Sequence, residues 1–427
     1  MNVHDSERIK GLLESLGMGE AREQSEADVL VLNTCTIREK ADERFVAHLM
    51  DARAAKQRDP EKRIVVGGCW SESMKQELFD LYPFVDLAFG PGAIHKLGDY
   101  ITAGGELPEG HFSTFDHFAG HLPGKRERRH QAWLQISQGC NSKCSYCIVP
   151  SVRGREQSRP LDDLVGEARR LAAEGVRELT LLGQNVNSWG RDLPAPERAG
   201  FGGLLRHLDG VDGISRIRFT SPHPKDMRDD VIAAMAECGS VCEHLHLPLQ
   251  SGSTRVLKAM RRTYSAERYL GLVERIRMAI PGIALTTDII VGFPGETEAD
   301  FEQTMEVVEA VGYDHAFTFV YSPRRGTEAA VMAEQVPDDV KRDRITRLVD
   351  LVQHHAAEHN AALVGTVQEV LVEGPSRTDP SVLRGRTRGN KTTLFEGDAA
   401  EGELALVEIL RSTSQTLGGR PAVTAAA

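Results

Sequence analysis

The stretch GCNSKCSYC, residues 139–147, puts Cys140, Cys144 and Cys147 into one short loop, and the next cysteines along the chain are Cys69 and Cys238. The loop follows "AWLQIS" (132–137), an apolar run of strand length. A cubane iron–sulfur cluster that only carries electrons usually has a thiolate on each of its irons. Three thiolates leave one iron open to a small chelating ligand. S-adenosylmethionine fits, because its amino and carboxylate groups can both ligate one iron and bring its sulfonium against the cluster. One electron then cleaves a C–S bond and yields a 5′-deoxyadenosyl radical, chemistry that belongs to the cofactor. The spacing leaves open a zinc site with a distant fourth ligand, or three structural thiols.

Outward from the loop, strand and helix patterns alternate. After 132–137 come apolar runs at 178–183, 216–221, 244–249, 284–292 and 316–321. Helical patterns follow at 161–174, 200–208, 226–237, 253–280 with a break near Thr263, 297–311 and 337–359. Successive βα units predict a parallel sheet, either an incomplete barrel or an open twisted sheet. Chemistry in barrels sits in loops at the strands' C-terminal ends, which is where the cysteine loop falls.

The flanks differ. Residues 1–105 read as an α/β domain, with strands "ADVLVLN" (27–33) and "RIVVGG" (63–68) ending at Cys35 and Cys69. The chain opens on a helical pattern, Ile9, Leu12, Leu13 and Leu16, where such a domain ordinarily opens on a strand, so a first strand is expected to be missing. Residues 106–130 are rich in Gly, Pro and His and read as a linker; 131–357 is the βα core. Residues 358–420 hold short alternating segments between glycines, a small all-β barrel, and 421–427 is expected to be a disordered tail.

The chain has 427 residues, 41% hydrophobic and 26% charged, which is ordinary for a globular protein of several domains. No apolar run approaches the ~18 residues that span a bilayer, and the first ten residues are polar, so a cytoplasmic, monomeric protein with no membrane partner is expected. Seven cysteines without a secretory signal argue for metal or redox use over disulfides. The net charge of −11 argues mildly against nucleic acid, yet Arg384, Arg386, Arg388 and Lys391 bunch on the β module. A second C-x3-C, Cys238 and Cys242, stands beside His244 and His246; core or barrel-lining residues are the expectation over zinc. His355 and His359 read as surface residues.

The motif Cys140-x3-Cys144-x-Tyr146-Cys147 resembles the radical-SAM superfamily, and residues 1–418 resemble its methylthiotransferase family. That family joins an N-terminal methylthiotransferase domain, a radical-SAM partial (βα)6 barrel and a C-terminal TRAM barrel. "MNVHDSE" (1–7), "LNTCTIREKA" (32–41), "CIVPSVRGREQSR" (147–159), "LLGQNVNSWG" (181–190) and "LHLPLQSGS" (245–253) resemble its branch that acts on isopentenylated adenosine in tRNA. The resemblance implies that Cys140, Cys144 and Cys147 hold the radical cluster and that Tyr146 lies near the adenine of S-adenosylmethionine. It places Gly183, Gln184 and Asn185 at the methionyl amino group, Ser251, Ser253 and Arg262 at ribose and carboxylate, and Gly292 of "GFPGET" on the adenine side. Cys35 and Cys69 would be ligands of an auxiliary [4Fe–4S] cluster. The family's third auxiliary ligand lies in a G-C-Q-M-N motif, and this sequence begins at the M; the expectation is a native start upstream and an auxiliary site one ligand short.

The implied reaction adds a methylthio group at carbon 2 of isopentenylated adenosine 37 of tRNA. An electron donor such as flavodoxin or ferredoxin is implied, and a sulfur donor that the sequence does not identify. Arg384, Arg386, Arg388 and Lys391 would contact tRNA phosphates. The alternatives are the same chemistry on a ribosomal-protein aspartate, a non-catalytic iron–sulfur RNA-binding protein, and a radical enzyme of another substrate class.

Overall fold

A computed structural model describes residues 1–34, 39–104, 110–114, 118, 122–195 and 198–422. It divides into two compact units. The first comprises Met1–Glu127, Ser137–Lys143 and Cys147–Gln157; the second comprises Arg128–Ile136, Cys144–Tyr146 and Ser158–Ala427. Cys35 lies outside the described residues, as does most of the expected tail.

The first unit opens with α1 (Asn2–Ser15), then β1 (Val29–Thr34), α2 (Glu39–Arg58), β2 (Arg63–Gly68), α3 (Cys69–Met74), α4 (Glu77–Leu81), β3 (Leu87–Phe89), α5 (His95–Thr102) and β4 (His111–Phe112). The strands pair in parallel in the order β1-β2-β3-β4. Side chains of a strand alternate between faces. Ile64 and Val66 accordingly join one apolar cluster with Leu49 and Trp70, while Val65 joins another with Ile9, Phe89 and Leu97. Both faces are covered, which is why β2 reads as a continuous apolar run. The helix expected from Ser71 to Leu81 breaks at Lys75, whose φ of 51° no α-helix accommodates. The expected linker contributes β4, a two-residue strand too short to give a periodic signal.

The chain continues through β5 (Gln131–Gln135), β6 (Ser137–Gln138), α6 (Val149–Arg153) and β7 (Gln157–Ser158). In the second unit, α7 (Leu161–Ala173), β8 (Glu178–Leu182), α8 (Gly200–Asp209), β9 (Arg216–Phe219), α9 (Asp229–Glu237) and β10 (His244–His246) follow. Then come α10 (Thr254–Ala259), α11 (Ala266–Ala279), β11 (Ala284–Val291), α12 (Glu298–Val311), β12 (His315–Val320) and α13 (Asp338–Ala361). Strands β5-β8-β9 and β10-β11-β12 form two parallel sheets, joined by the bridge Ile217↔Val241. This is the expected (βα)6 order. Among the described residues β5 and β12 do not pair, so the barrel is open. Leu134, Leu181, Ile217, Leu245, Ile289 and Ala316 pack against the helices in one core. Their strand neighbours point to the other face, the lumen. The break near Thr263 separates α10 from α11.

The C-terminal strands β13 (Val367–Pro375), β14 (Leu383–Thr387), β15 (Thr392–Phe395), β16 (Leu404–Ser412) and β17 (Thr416–Pro421) close a barrel in the order β13-β14-β15-β17-β16. Val370, Val372, Phe395, Val407, Ile409 and Leu417 fill it. The sequence signals four of these strands; "TLGGRP" has no alternation to mark β17. No described helix is long and apolar enough to cross a membrane.

Candidate functional site

Within the first unit, glycine sets the entry to the cysteine loop. Gly139 has φ +74°, and a Cβ there would lie 2.1 Å from the carbonyl oxygen of Arg155. The backbone N–H of Cys140 donates to the carbonyl of Gly154 at 3.1 Å. Within the second unit, the segment Cys144–Tyr146 is pinned by Ser145. Its N–H donates to Met260 O (3.1 Å), its hydroxyl donates to Ala259 O (2.8 Å), and its carbonyl accepts from Ala329 N–H (2.9 Å). Tyr146 packs edge-on to Phe293 of the "GFPGET" segment, with Met260 and Tyr321 in the same cluster. The three loop cysteines are half-buried thiols, not disulfides.

Arg262 follows α10 and turns its guanidinium to this segment. Its Nη1 lies 3.5 Å from Cys144 Sγ and its Nε donates to Tyr264 Oη at 3.0 Å. Burial pushes its pKa down, but Tyr264, Tyr146 and Cys144 outweigh that, and it stays charged. Burial, with Arg262, Lys225 and Arg191 nearby, drives His223 down to about 2, so this wall carries fixed positive charge on arginine and a neutral imidazole. At the C-terminal end of β8, Gln184 Oε1 and Asn185 Oδ1 are buried with no hydrogen-bond partner among the described residues. Asn185 Nδ2 is held by Asp226 Oδ2 at 2.7 Å, and Asp226 in turn by Arg191 at 2.6 Å. Two buried acceptors left open suit an ammonium donor. A guanidinium at the loop suits a carboxylate. This donor and acceptor set fits the amino acid end of S-adenosylmethionine.

Gly292, with φ +73°, would place a Cβ 2.4 Å from Lys341 Cγ, and its N–H donates to Glu296 Oε1 at 2.9 Å. The backbone here can approach a ligand only because no side chain intervenes. Gly183 is buried at the end of β8. Ser251 and Ser253 are otherwise engaged. Ser253 caps α10, accepting from Val256 N–H and donating to Asp300 at 2.6 Å. Ser251 Oγ meets Thr304 Oγ1 at 3.3 Å and accepts from Ser253 N–H. Their hydroxyls frame the loop.

The basic bunch on the β module is engaged with protein carboxylates and carbonyls. Arg388 forks onto Glu243 at 2.7 and 2.8 Å and donates to the carbonyls of Gly239 and Val241. Lys391 pairs with Asp314 at 2.6 Å; Arg384 and Arg386 face Glu373 at 3.3 and 3.5 Å. From the other side, Arg216 and Arg218 of β9 donate to the carbonyls of Arg386, Thr387 and Arg388. Arg388 and Lys391, with Arg216 and Arg218, fasten the small barrel to the N-terminal ends of the βα strands, while Arg384 and Arg386 face Glu373 within the barrel itself. A cavity of 710 Å³, lined by Glu243, Ala284, Asp314, Arg388 and Lys391, belongs to this seam.

Cys238 and Cys242 are buried core thiols; burial raises Cys238 to about 11 and Cys242 upward as well. Among the described residues no three His, Cys, Asp or Glu side chains gather closely enough to hold one metal ion. A tetrahedral ion with Zn–S bonds of ~2.3 Å needs its thiolates within about 4 Å of one another, whereas a cubane spreads them. His355 is a further correction: it is 8% exposed and meets Glu309 of α12 at 3.2 Å.

Sequence reading expected His246 in the core or lining the barrel, and missed Asp288 and Phe317 beside it. His246 Nε2 lies 3.4 Å from Asp288 Oδ2, and its Nδ1 lies 3.1 Å from Thr286 Oγ1. Phe317 stands edge-on to both His246 and His315 and is 47% exposed. The signal was the polar residue at every second position of "HLH" and "ALTTD".

Residues 134–308 match the radical SAM superfamily, residues 361–422 the TRAM domain, and residues 1–90 the uncharacterized protein family UPF0004. The chain is 46% identical over 415 residues to the tRNA-2-methylthio-N(6)-dimethylallyladenosine synthase of Carboxydothermus hydrogenoformans, covering 96% of this chain and 94% of that protein. The chain belongs to the tRNA-2-methylthio-N(6)-dimethylallyladenosine synthase family. The synthase of Salinispora arenicola is 47% identical, over 97% of this chain and 83% of that protein. In fold, this synthase-family chain is similar to the radical S-adenosylmethionine methyltransferase TsrM of Kitasatospora setae, with TM-score 0.57 at 17% identity, covering 78% of this chain and 72% of that one. It is similar also to the cobalamin-dependent S-adenosylmethionine radical enzyme OxsB, with TM-score 0.52 at 12% identity, covering 82% and 54%. Membership brings S-adenosylmethionine and [4Fe–4S] clusters as cofactors and makes the chain a radical-SAM enzyme.

Proposed function

We propose that the chain adds a methylthio group to carbon 2 of isopentenylated adenosine 37 of tRNA, as a monomeric cytoplasmic enzyme fed by a flavodoxin- or ferredoxin-like electron donor. The observation that carries the reading is the three-cysteine loop that follows the first strand of an open (βα)6 barrel along the chain, in a chain near-collinear with tRNA methylthio synthases. When bound, the clusters and S-adenosylmethionine supply the hydrogen-abstracting radical and the methylated sulfur. The chain's own residues bind and orient. Cys140, Cys144 and Cys147 would hold the radical cluster, and Cys69 with Cys35 the auxiliary one. Gln184 Oε1 and Asn185 Oδ1 accept from the methionyl ammonium, Arg262 takes the carboxylate, and Tyr146 and Gly292 bound the adenine.

The substrate base must leave its stack to reach the lumen. There Phe317 offers a face for stacking, and the His246–Asp288 pair offers both a donor and an acceptor to its edge. The ribosomal-protein reading has no comparable support, because a carboxylate substrate would meet Asp288 on this face. The test is Cys144→Ala. The chain should fold, lose the iron of one cluster, form no 5′-deoxyadenosine under dithionite and leave isopentenylated tRNA unmodified by nucleoside mass spectrometry. Continued 5′-deoxyadenosine formation would refute the cluster assignment.

A further inference from the structure

One hydroxyl on the lumen face of the βα barrel serves two histidines. Thr286 of β11 is buried, and its Oγ1 lies 3.1 Å from His246 Nδ1 and 3.3 Å from His244 Nε2, both on β10. His246 Nε2 lies in turn 3.4 Å from Oδ2 of Asp288, the next residue of β11 on the same face. The register that pairs His244 with Ala284 and His246 with Thr286 sets these four side chains as a ladder across two strands. The ladder ends beside Phe317 of β12, whose ring stands edge-on to His246.

A hydroxyl has one hydrogen to give, so Thr286 donates to one imidazole and accepts from the other. If it donates to His246 Nδ1, the hydrogen of that ring sits on Nε2. If it donates to His244 Nε2, His246 carries hydrogen on Nδ1, and a bare Nε2 would set its lone pair against the Asp288 carboxylate. Only a doubly protonated ring avoids that clash. His246 Nε2 therefore carries hydrogen in both permitted arrangements. Burial holds His244 neutral, with Arg218, His246, Arg386 and Lys391 adding to the effect, so the far end of the ladder contributes no charge. The lumen thus presents a fixed N–H donor next to a carboxylate acceptor. At 3.4 Å the two are beyond full hydrogen-bond distance of each other, and both remain partly exposed, so a ligand can engage both.

In an N6-alkylated adenine the alkyl group lies toward N1, clear of the five-membered ring, and the remaining N6–H lies beside N7. The N6–H/N7 edge is then the edge that offers a donor and an acceptor together, and carbon 2 lies on the opposite side of the base. We propose that His246 and Asp288 read this edge, Asp288 accepting from N6–H and His246 Nε2 donating to N7, with Thr286 as the positioning residue that fixes His246 as the donor. This rests on the reading of isopentenylated adenosine as the substrate. The pairing is the bidentate N6/N7 readout by which side chains recognise adenine in a major groove. It turns carbon 2, the atom to be modified, away from β10 and β11.

The experiment measures the affinity of the reconstituted full chain for anticodon stem-loop RNAs whose position 37 carries N6-isopentenyladenine, its 7-deaza analogue or its 1-deaza analogue. Affinity is read because ring substitution also alters reactivity at carbon 2. The 7-deaza RNA has lost the N7 acceptor and should bind roughly tenfold more weakly, while the 1-deaza RNA should bind like the natural one. His246→Leu should bind the natural and 7-deaza RNAs equally. Thr286→Val keeps the shape and loses the hydroxyl, and it should narrow the gap between the two RNAs; Thr286→Ser should restore it. Circular dichroism and iron content identify any variant that fails to fold, and the comparison of the three RNAs on the parent chain decides the edge without variants. Equal binding of the 7-deaza and natural RNAs, or a loss confined to the 1-deaza RNA, would overturn the proposal. A gap that persists in folded His246→Leu or stays full in Thr286→Val would overturn it too. Nucleoside mass spectrometry of the natural RNA is a separate readout: if the parent chain leaves it without a methylthio group, the substrate reading fails and the proposal falls with it.

Discussion

Phe317 is almost half exposed in the middle of a parallel strand, where both faces are ordinarily covered. Its neighbour Ala316 joins the core, so the exposure is confined to the lumen side. An aromatic face held ready beside a His–Asp pair suits a flipped base, and stacking on such a face contributes about 1–3 kcal/mol per base. Phe317→Ala should therefore weaken binding of isopentenylated tRNA roughly ten- to a hundredfold, at about 1.4 kcal/mol per decade. Phe317→Trp should retain most of the affinity, and iron content should match the parent in both. Filter binding at fixed salt checks this; equal affinities for the Ala variant and the parent would remove Phe317 from the substrate face. The cysteines were legible because three thiols in one loop have few uses. Phe317 was not, because alternation yields two faces of a strand without saying which one meets solvent.

Long elements with a clean period were readable from sequence, and short ones were not. Strand β11 runs eight residues and α12 carries a full capping box between Thr297 and Asp300, so both announce themselves. Strand β4 is two residues inside a Gly- and Pro-rich stretch, and its pairing with β3 supplies its stability. Yet β4 carries His111, beside Glu72 at 3.6 Å. Burial drives His111 down to about 4, with Lys75 adding to the shift. The unfolded chain then binds more protons than the folded one between about pH 6.5 and 4. Stability from keeping this imidazole neutral is complete above the unfolded value and is lost as pH falls through 4. Glu72, raised by burial, works in the opposite sense above its ordinary range. Measured in a Glu72→Gln background, the thermal midpoint should fall on acidification from pH 6.5 to 4, and adding His111→Asn should flatten that slope. An unchanged slope would place the acid-sensitive group elsewhere.

At the scale of the whole molecule, cations that bunch in the sequence are tied to carboxylates and carbonyls of the fold. The chain carries a net −11, and its C-terminal cations pair with Glu243, Glu373 and Asp314. Sequence bunching reveals where cations are, not which carboxylates a distant strand brings to them. Arg218 is part of this seam: 8% exposed, it pairs with Glu178 at 2.9 Å and caps the carbonyls of Thr387 and Arg388. Arg218→Met leaves Glu178 buried without its partner, which costs about 3–5 kcal/mol. The denaturant midpoint should fall accordingly, and limited proteolysis should release the C-terminal barrel before the βα core. The triple variant Arg384→Ala, Arg386→Ala, Arg388→Ala should likewise lower the thermal midpoint. Its tRNA affinity should keep the parent's salt dependence to within about one unit of logarithmic slope, since each lost phosphate contact would remove roughly 0.9. Titrations between low and moderate salt decide the matter: a slope reduced by nearly three units, with the melting temperature intact, would return these arginines to the RNA.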